Sequence, residues 1–284
     1  MSFPPEVYLI GAQKAGTTTL ACLLAQHPDI CVAKNKEPHY FTANSGKSLA
    51  WYEQQFPERE NTLCIDASTS YSFAPLSSDN SYTTIKCFHN IPQRIFSLNP
   101  QAKFIYLLRD PIARTYSGYW HSFNTGREHR SFFEAIKHDH FYLDVSDYYG
   151  QLSLWLEYFP LESFHFLLFE DMKQNPERAV KSCFEFLELD LEKIEINVAE
   201  HRNKTQNVNF IGRKFNRVFK QLDYSGLGFL APSLIRNSIK KYTTTCNPKP
   251  ASSEPERDFL RDYFSDKNQN LANLTGISLS QWTS

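Results

Sequence analysis

The stretch "VYLIGAQKAGTTTLACLLAQH", residues 7–27, constrains the fold more than any other part of the chain. Four β-type residues, Val7 to Ile10, run into a glycine loop, and Leu20, Leu23 and Leu24 then recur at helical spacing until Pro28. Strand, glycine loop and helix in that order aim the first-turn N–H groups and the positive helix end at whatever lies above the loop. The unit therefore belongs in an α/β fold, and its first turn suits an anion. Gly11 and Gly16 keep the spacing of a Walker A loop, G-x-x-x-x-G-K-[ST], but Thr17 stands where that loop carries lysine. The lysine is Lys14, inside the loop, and Thr17, Thr18 and Thr19 add hydroxyl donors. A triphosphate is less natural here, because its bridge between β and γ phosphates is lost. Lys14 projects from the crown of the loop, where a bridging oxygen between two anionic groups could lie. A turn that binds nothing is the rival reading.

Further strand candidates follow at 30–33, 62–66, 103–108 and 163–172. Asp110 and Pro111 have the chemistry of an N-cap and first helical residue, and Asn175 and Pro176 repeat it ahead of an amphipathic helix over 175–189. The segment from Glu256 onward reads as a helix, polar on one side, that packs back on the rest. Strands alternating with helices predict a three-layer α/β/α arrangement around a central parallel sheet, with a P-loop-like phosphate loop. Stretches 76–87 and 243–256 are loop-like, no internal repeat is visible, and one domain over 1–284 is expected.

A net charge of -1 provides no global attraction to nucleic acid or a membrane surface. Charge is uneven, however: residues 201–241 hold nine basic side chains against Asp223 alone. That excess is a solvated face, or a rim that attracts an anionic cofactor or acceptor. The six cysteines form no C-x-x-C pair, so structural zinc is not expected and most read as reduced core residues of a cytoplasmic protein. "HDH", 138–140, reads as surface rather than metal ligands. No apolar run approaches the ~18 residues of a membrane span, and the N-terminus lacks a signal-peptide pattern.

A second anion site is expected in "FIYLLRDPIARTYSGYWH". Arg109 falls at the carboxyl end of a buried strand, where open α/β sheets bind their ligands, and Ser117 lies two turns into the next helix. The guanidinium fork donates two hydrogen bonds to a phosphate. An Arg109–Asp110 cap or ion pair is the structural alternative. A nucleotide held by phosphates at two ends would need both sites.

Together these residues resemble the sulfotransferases that use 3′-phosphoadenosine 5′-phosphosulfate (PAPS). "GAQKAGTT" is similar to their 5′-phosphosulfate loop and "LLRDPIARTYSGYWH" to their 3′-phosphate motif. "KNKEPHYF", 34–41, is similar to the K-E-x-x-x-F stretch of the heparan sulfate N- and 3-O-sulfotransferases. "FEDM", "NPERAVKSCFEFLEL" and "LANLTGISLSQW" resemble bacterial members, so the likeness spans nearly the whole chain. It implies that Gln13, Lys14, Ala15, Gly16, Thr17, Thr18 and Thr19 hold the phosphosulfate, that Arg109 and Ser117 take the 3′-phosphate, and that no metal is required. Lys14 would offset charge on the leaving oxygen as 3′-phosphoadenosine 5′-phosphate departs.

The acceptor hydroxyl or amine must also lose a proton. The likeness implies Glu37 as the general base, with His39 as a rival and a salt bridge to Lys34 or Lys36 as the structural alternative. His121 matches a motif histidine, which implies a catalytic residue that faces the acceptor or assists charge stabilisation; packing within its helix is the structural alternative. Ser68 and Tyr71 are the remaining acceptor-side candidates, in "DASTSY", which resembles the N-sulfotransferase E-K-S-x-x-Y but has Ala67 for its lysine. That loss weakens the case for a heparan-type acceptor. The family's closing loop is not recognisable, and Lys240, Lys241 or Lys249 is the substitute. Trp51 and Tyr52 are candidates for a stacking platform. The expected acceptor is a glycan or small metabolite, with acidity suggested by 201–241. A P-loop kinase or NTPase and a non-catalytic nucleotide-binding protein of the same fold are the alternatives.

Overall fold

The computed structural model describes residues 3–57, 62–77, 86–198, 207–208, 210–224, 232–245 and 251–282. The five apolar runs form strands β1 (Val7–Gly11), β2 (Ile30–Val32), β3 (Leu63–Asp66), β4 (Lys103–Leu108) and β5 (Phe164–Leu168). They pair in parallel in the order β2-β3-β1-β4-β5. Nearly every residue of β1 and β4 is fully buried, as a central strand of a sheet covered on both faces requires.

The helices between them are α1 (Thr17–Leu24), α2 (Leu49–Glu53), α3 (Ile91–Leu98), α4 (Pro111–Asn124), α5 (Phe132–His138), α6 (Phe141–Asp144) and α7 (Tyr148–Leu156). After β5 come α8 (Phe169–Gln174) and α9 (Pro176–Phe186). Then follow β6 (Asn207–Val208), α10 (Phe210–Tyr224), α11 (Ser233–Thr243), β7 (Thr244–Thr245) and α12 (Glu254–Thr275). β6 and β7 pair antiparallel as a separate two-stranded ribbon.

Register explains one face of the sheet. Tyr8, Phe104 and Phe164 are lateral neighbours on β1, β4 and β5, and their rings stack at 5.8 and 4.8 Å. Trp155 of α7 and Phe159 close over Phe104 at 4.8 and 4.6 Å. Each buried ring contributes roughly 1.5–3 kcal/mol. Helices α1 and α9 pack on each other and on the strands, so the sheet lies between helical layers. At the far end of α12, Leu260 and Phe264 join Ile112, Tyr119, Phe132 and Ile136 in a second apolar cluster. The C-terminal helix thus packs back onto α4 and α7, as its one-sided polarity predicts.

The strand expected over 163–172 is shorter. It ends at Leu168, and Phe169–Gln174 is helical, with Glu170 and Asp171 in the first turn where the helix dipole favours acids. The cap after β4 forms as read: the Asp110 carboxylate accepts from the Ala113 N–H at 2.8 Å. The loop expected over 76–87 lies partly outside the described residues, and Lys86–Phe88 is a short 3-10 turn. Cys22, Cys31, Cys64, Cys87 and Cys183 are free thiols, while Cys246 lies outside the described residues. Among the described residues no helix is long and apolar enough to cross a membrane.

Candidate active site

In a parallel sheet every strand delivers its next residues to the same edge. Here the segments after β1, β2, β3, β4 and β5 meet there, around a cleft of about 810 Å³. That is within the roughly 300–1,000 Å³ of small-molecule sites. Its walls include Gln13, Lys14, Gly16, Thr17, Thr18 and Thr19 of the glycine loop, and Glu37 and His39 of the loop after β2. Arg109, Ser117, His121 and Arg127 complete it from the β4–α4 side. Eleven of the expected site positions therefore share one cleft, although more than 100 residues of chain separate the first from the last.

Sterics require both glycines of the loop. A Cβ on Gly11 would come within 2.5 Å of the Ser72 hydroxyl. Gly16 has φ 93°, the left-handed region, and a Cβ there would meet the Met172 methyl at 2.8 Å and the Phe169 ring at 3.1 Å. Gly16 is also the N-cap of α1 and offers no side chain to its first turn. The N–H groups of Thr17, Thr18 and Thr19 have no carbonyl of their own helix to bind and remain for a ligand.

Two guanidinium groups fix the loop from behind. Arg114 Nε donates to the Gln13 carbonyl at 3.1 Å, and Arg109 Nη1 donates to the Lys14 carbonyl at 2.9 Å. Peptide planarity then turns the Lys14 N–H away from the buried Arg114. Ala15 is fully buried and does not line the cleft, and its N–H closes a turn on the Ala12 carbonyl at 3.0 Å.

Arg114 has no exposure, and Gly118 makes room for it: a Cβ at 118 would be 2.9 Å from Nη2. The Nη1 group donates to the Tyr142 carbonyl and the Ser146 hydroxyl, while Nη2 has no partner. Burial lowers the Arg114 pKa to about 10. Lys14 is also lowered, first by burial and then by the charges of Arg109, Arg114 and Arg127. Arg109 is lowered by burial, against the opposing pull of nearby Tyr148, Glu170 and Asp110. Among the described residues no carboxylate forms an ion pair with Lys14, Arg109 or Arg114. Lys14 and Arg109 in the cleft, with Arg114 behind the loop, thus concentrate positive charge that no direct ion pair neutralises among the described residues.

The Arg109–Asp110 ion pair is not formed. Asp110 serves the helix cap, while Arg109 turns to the loop and lies over the Phe169 ring at 4.8 Å.

The opposite wall carries the carboxylate. Glu37 Oε1 is 2.7 Å from Lys36 Nζ, and Oε2 accepts from the Thr69 hydroxyl at 3.1 Å. His39 Nε2 lies 3.5 Å from the same Oε2, and its Nδ1 is 2.8 Å from the Ser70 hydroxyl. Of the two lysines considered as partners, Lys36 forms the salt bridge, and Lys34 donates instead to the Gln54 carbonyl. The carboxylate is both paired and open to the cleft, so pairing and a chemical role coexist.

Ser68 and Tyr71 stand apart from the other expected positions. Both are buried and neither reaches the cleft. Ser68 Oγ accepts the His39 N–H at 2.9 Å, and Tyr71 Oη accepts the Phe41 N–H at 3.4 Å. Their task is to hold the loop that carries Glu37. Behind them Asp66, fully buried, accepts from the Tyr52 and Tyr71 hydroxyls at 2.5 and 2.7 Å and from the Ser68 N–H at 2.9 Å. Burial raises its pKa, while those hydrogen bonds pull it back down.

Tyr52 is no platform either: it is a core residue, stacked on Tyr40 at 4.1 Å, and Trp51 does not line the cleft. The aromatic walls are Phe73 and Phe169. The side chains of Lys240 and Lys241, and all of Lys249, lie outside the described residues, as does much of 201–241.

Sequence reasoning passed over Lys36 as an active participant, and missed Arg114, Arg127, Thr69 and Ser70. One signal was available for Arg114. Its Gly118 partner sits at i+4 on the same helix, a spacing that brings two positions face to face.

A sulfotransferase domain model matches residues 4–225. The chain belongs to the sulfotransferase domain family. This sulfotransferase is 25% identical over 292 aligned positions to human heparan sulfate glucosamine 3-O-sulfotransferase 5, covering 97% of this chain and 73% of that protein. It is 29% identical over 194 positions to human heparan sulfate glucosamine 3-O-sulfotransferase 6, covering 65% of this chain and 52% of that one. A sulfotransferase from Alicyclobacillus acidocaldarius shares the fold, with a TM-score of 0.70 at 21% identity over 100% of both chains. The enzyme is a PAPS-dependent sulfotransferase. Its cleft fits such a donor: the half-buried cations Lys14 and Arg109 line it and, among the described residues, neither forms an ion pair with a carboxylate.

Proposed function

We propose that this sulfotransferase moves a sulfuryl group to a hydroxyl or amine of a glycan or small metabolite by in-line displacement, with Glu37 as general base. PAPS supplies a sulfuryl group whose bond to a phosphate oxygen breaks as the bond to the acceptor forms. Glu37 takes the acceptor's proton, and the Lys14 ammonium offsets the negative charge that gathers on the oxygen left behind. The first turn of α1 and the hydroxyls of Thr17, Thr18 and Thr19 hold the phosphosulfate. Arg109 and Ser117 take the 3′-phosphate, and His121 faces the acceptor.

One observation carries the reading: Glu37 opens into the same cleft as Lys14 and Arg109, with both of its oxygens held. The activity for which the relatives are named, 3-O-sulfation of a heparan sulfate glucosamine, supports a sugar hydroxyl as acceptor. Exposed Arg127 at the cleft supports an acceptor that carries negative charge. The free thiols support a reducing, cytoplasmic setting, and residues 1–284 are read as one domain.

Calorimetry should find that adenosine 3′,5′-bisphosphate binds at least tenfold more tightly than 5′-AMP, since only the former engages Arg109. Labelled sulfate from PAPS, offered to sugars, phenols, alcohols and amines, identifies the acceptor. Glu37→Gln should then lower turnover about 10²–10⁴-fold, the range for a general base, with bisphosphate affinity retained. Equal affinities for the two nucleotides would defeat the 3′-phosphate assignment, and near-normal turnover of Glu37→Gln would defeat the base.

A further inference from the structure

A carboxylate beside the binding site of a polyanion poses an electrostatic problem. Glu37 faces a cleft built for a phosphosulfate, and two anions a few ångströms apart repel. Lys36 stands between them. Its ammonium donates to Glu37 Oε1 at 2.7 Å, to the Ala67 carbonyl at 3.1 Å and to the Thr17 hydroxyl at 3.3 Å. An ammonium has three N–H donors, and here each has a receiver. The side chain is mostly buried, 18% exposed, so this is not a lysine waving from the surface.

The backbone is arranged for this contact. Lys36 has φ 56°, in the left-handed region that lysine rarely visits. Its N–H donates to the Ala33 carbonyl at 2.8 Å, and its own carbonyl accepts from the Ala67 N–H at 3.0 Å. In an extended chain residues 36 and 37 would point to opposite sides. The turn at Lys36 breaks that alternation, and the two side chains meet.

We infer that Lys36 is a positioning residue that shields the Glu37 carboxylate from the bound donor and fixes the polarity of the Thr17 hydroxyl. The inference rests on the proposed assignment of Glu37 as base. Because Thr17 Oγ1 accepts a hydrogen bond from the Lys36 ammonium, its own hydrogen is left to point elsewhere, and Thr17 lines the cleft. A threonine so held is a donor toward an anion rather than an acceptor. The same ammonium holds one oxygen of the base, while the Thr69 hydroxyl holds the other. The loop that takes the proton and the loop that grips the phosphosulfate are thereby joined by one side chain.

The test is a double-mutant cycle read by calorimetry with adenosine 3′,5′-bisphosphate, which needs no acceptor. Wild type, Lys36→Met, Lys36→Arg, Glu37→Gln and Lys36→Met/Glu37→Gln are compared, with melting curves to confirm that each is folded. Lys36→Met should weaken binding about tenfold, the scale of an uncompensated unit charge at a partly solvated site. Lys36→Arg should restore most of it. The double variant should also recover most of the affinity, because the repelling carboxylate is gone; a merely structural lysine would not be rescued by removing its neighbour. Unchanged affinity in Lys36→Met, or a double variant no better than Lys36→Met, overturns the inference. The base assignment is judged separately by turnover of Glu37→Gln with PAPS, so either idea can fail while the other stands.

Discussion

Truncating Lys14 tests the electrostatics of the cleft most directly. The ammonium is half-buried, and its pKa is lowered because desolvation and the charges of Arg109, Arg114 and Arg127 all oppose its proton. Lys14→Ala removes one unit charge and nothing that holds the loop. Arg109 and Arg114 bind the backbone carbonyls of residues 14 and 13, and those carbonyls survive the change. Alanine also inherits the left-handed backbone at this position, φ 74°, rather than creating it.

A unit charge about 4 Å from a developing anion, at an effective dielectric of about 20, is worth about 4 kcal/mol. Loss of one such donor from comparable sites costs about 2.7–4 kcal/mol. The remaining cations should keep the loss near the lower end, about 10²-fold in kcat. Bisphosphate affinity should fall as well, by up to about 10²-fold, because the 5′-phosphate of that product carries the charge that the departing sulfur leaves behind. Steady-state transfer from labelled PAPS gives the first number and calorimetry the second. Turnover within about threefold of wild type would refute the reasoning.

Titration adds a second check. The ammonium is the working form and is lost as pH rises through its folded pKa, which lies below that of an ordinary lysine. Turnover should therefore fall on the alkaline side earlier than the ordinary value of ~10.4 implies, and Lys14→Arg should move that limb upward.

Gly16→Ala should cost about 2–4 kcal/mol in chemical denaturation, from the left-handed backbone and from overlap with Met172 and Phe169; an unchanged midpoint would mean the loop has room to move. Asp66→Ala should destabilise by about 3–5 kcal/mol, because two tyrosine hydroxyls and an N–H lose their buried acceptor, and a loss under about 1 kcal/mol would deny that cluster its role. The raised pKa of Asp66 sets the sign of its linkage: the contribution of its protonated form is full below the unfolded carboxylate value and is lost as pH rises through the folded one. Stability relative to Asp66→Asn should therefore fall with rising pH across that window, and a flat difference would count against it.

Much of the site was legible because its parts are local. The glycine loop, the Asp110 cap and the Arg109–Ser117 spacing are each contained in a few consecutive residues. Glycine and proline report backbone geometry, and helical spacing reports a shared face. The acceptor side was read less well. Ser68 and Tyr71 are polar residues in a promising motif, yet they face inward and serve the loop that carries Glu37. Nothing in a polar residue's identity says whether its partner is a ligand or a neighbouring N–H. Ala15 likewise turns its amide to the Ala12 carbonyl.

The sequence by itself determined the repeating strand–helix order, the phosphate-binding turn after β1 and the guanidinium at the end of β4. These depend on periodicity, caps and glycines, whose interactions reach only a few residues along the chain. Tertiary structure alone decided which charges face one another. It set Lys36 between Glu37 and Thr17, put Arg114 behind the loop rather than in the cleft, and turned the "DASTSY" hydroxyls inward. The physical reason is that pairing energies depend on distance and burial, and both are set when strands far apart in sequence deliver their ends to the same edge of a sheet.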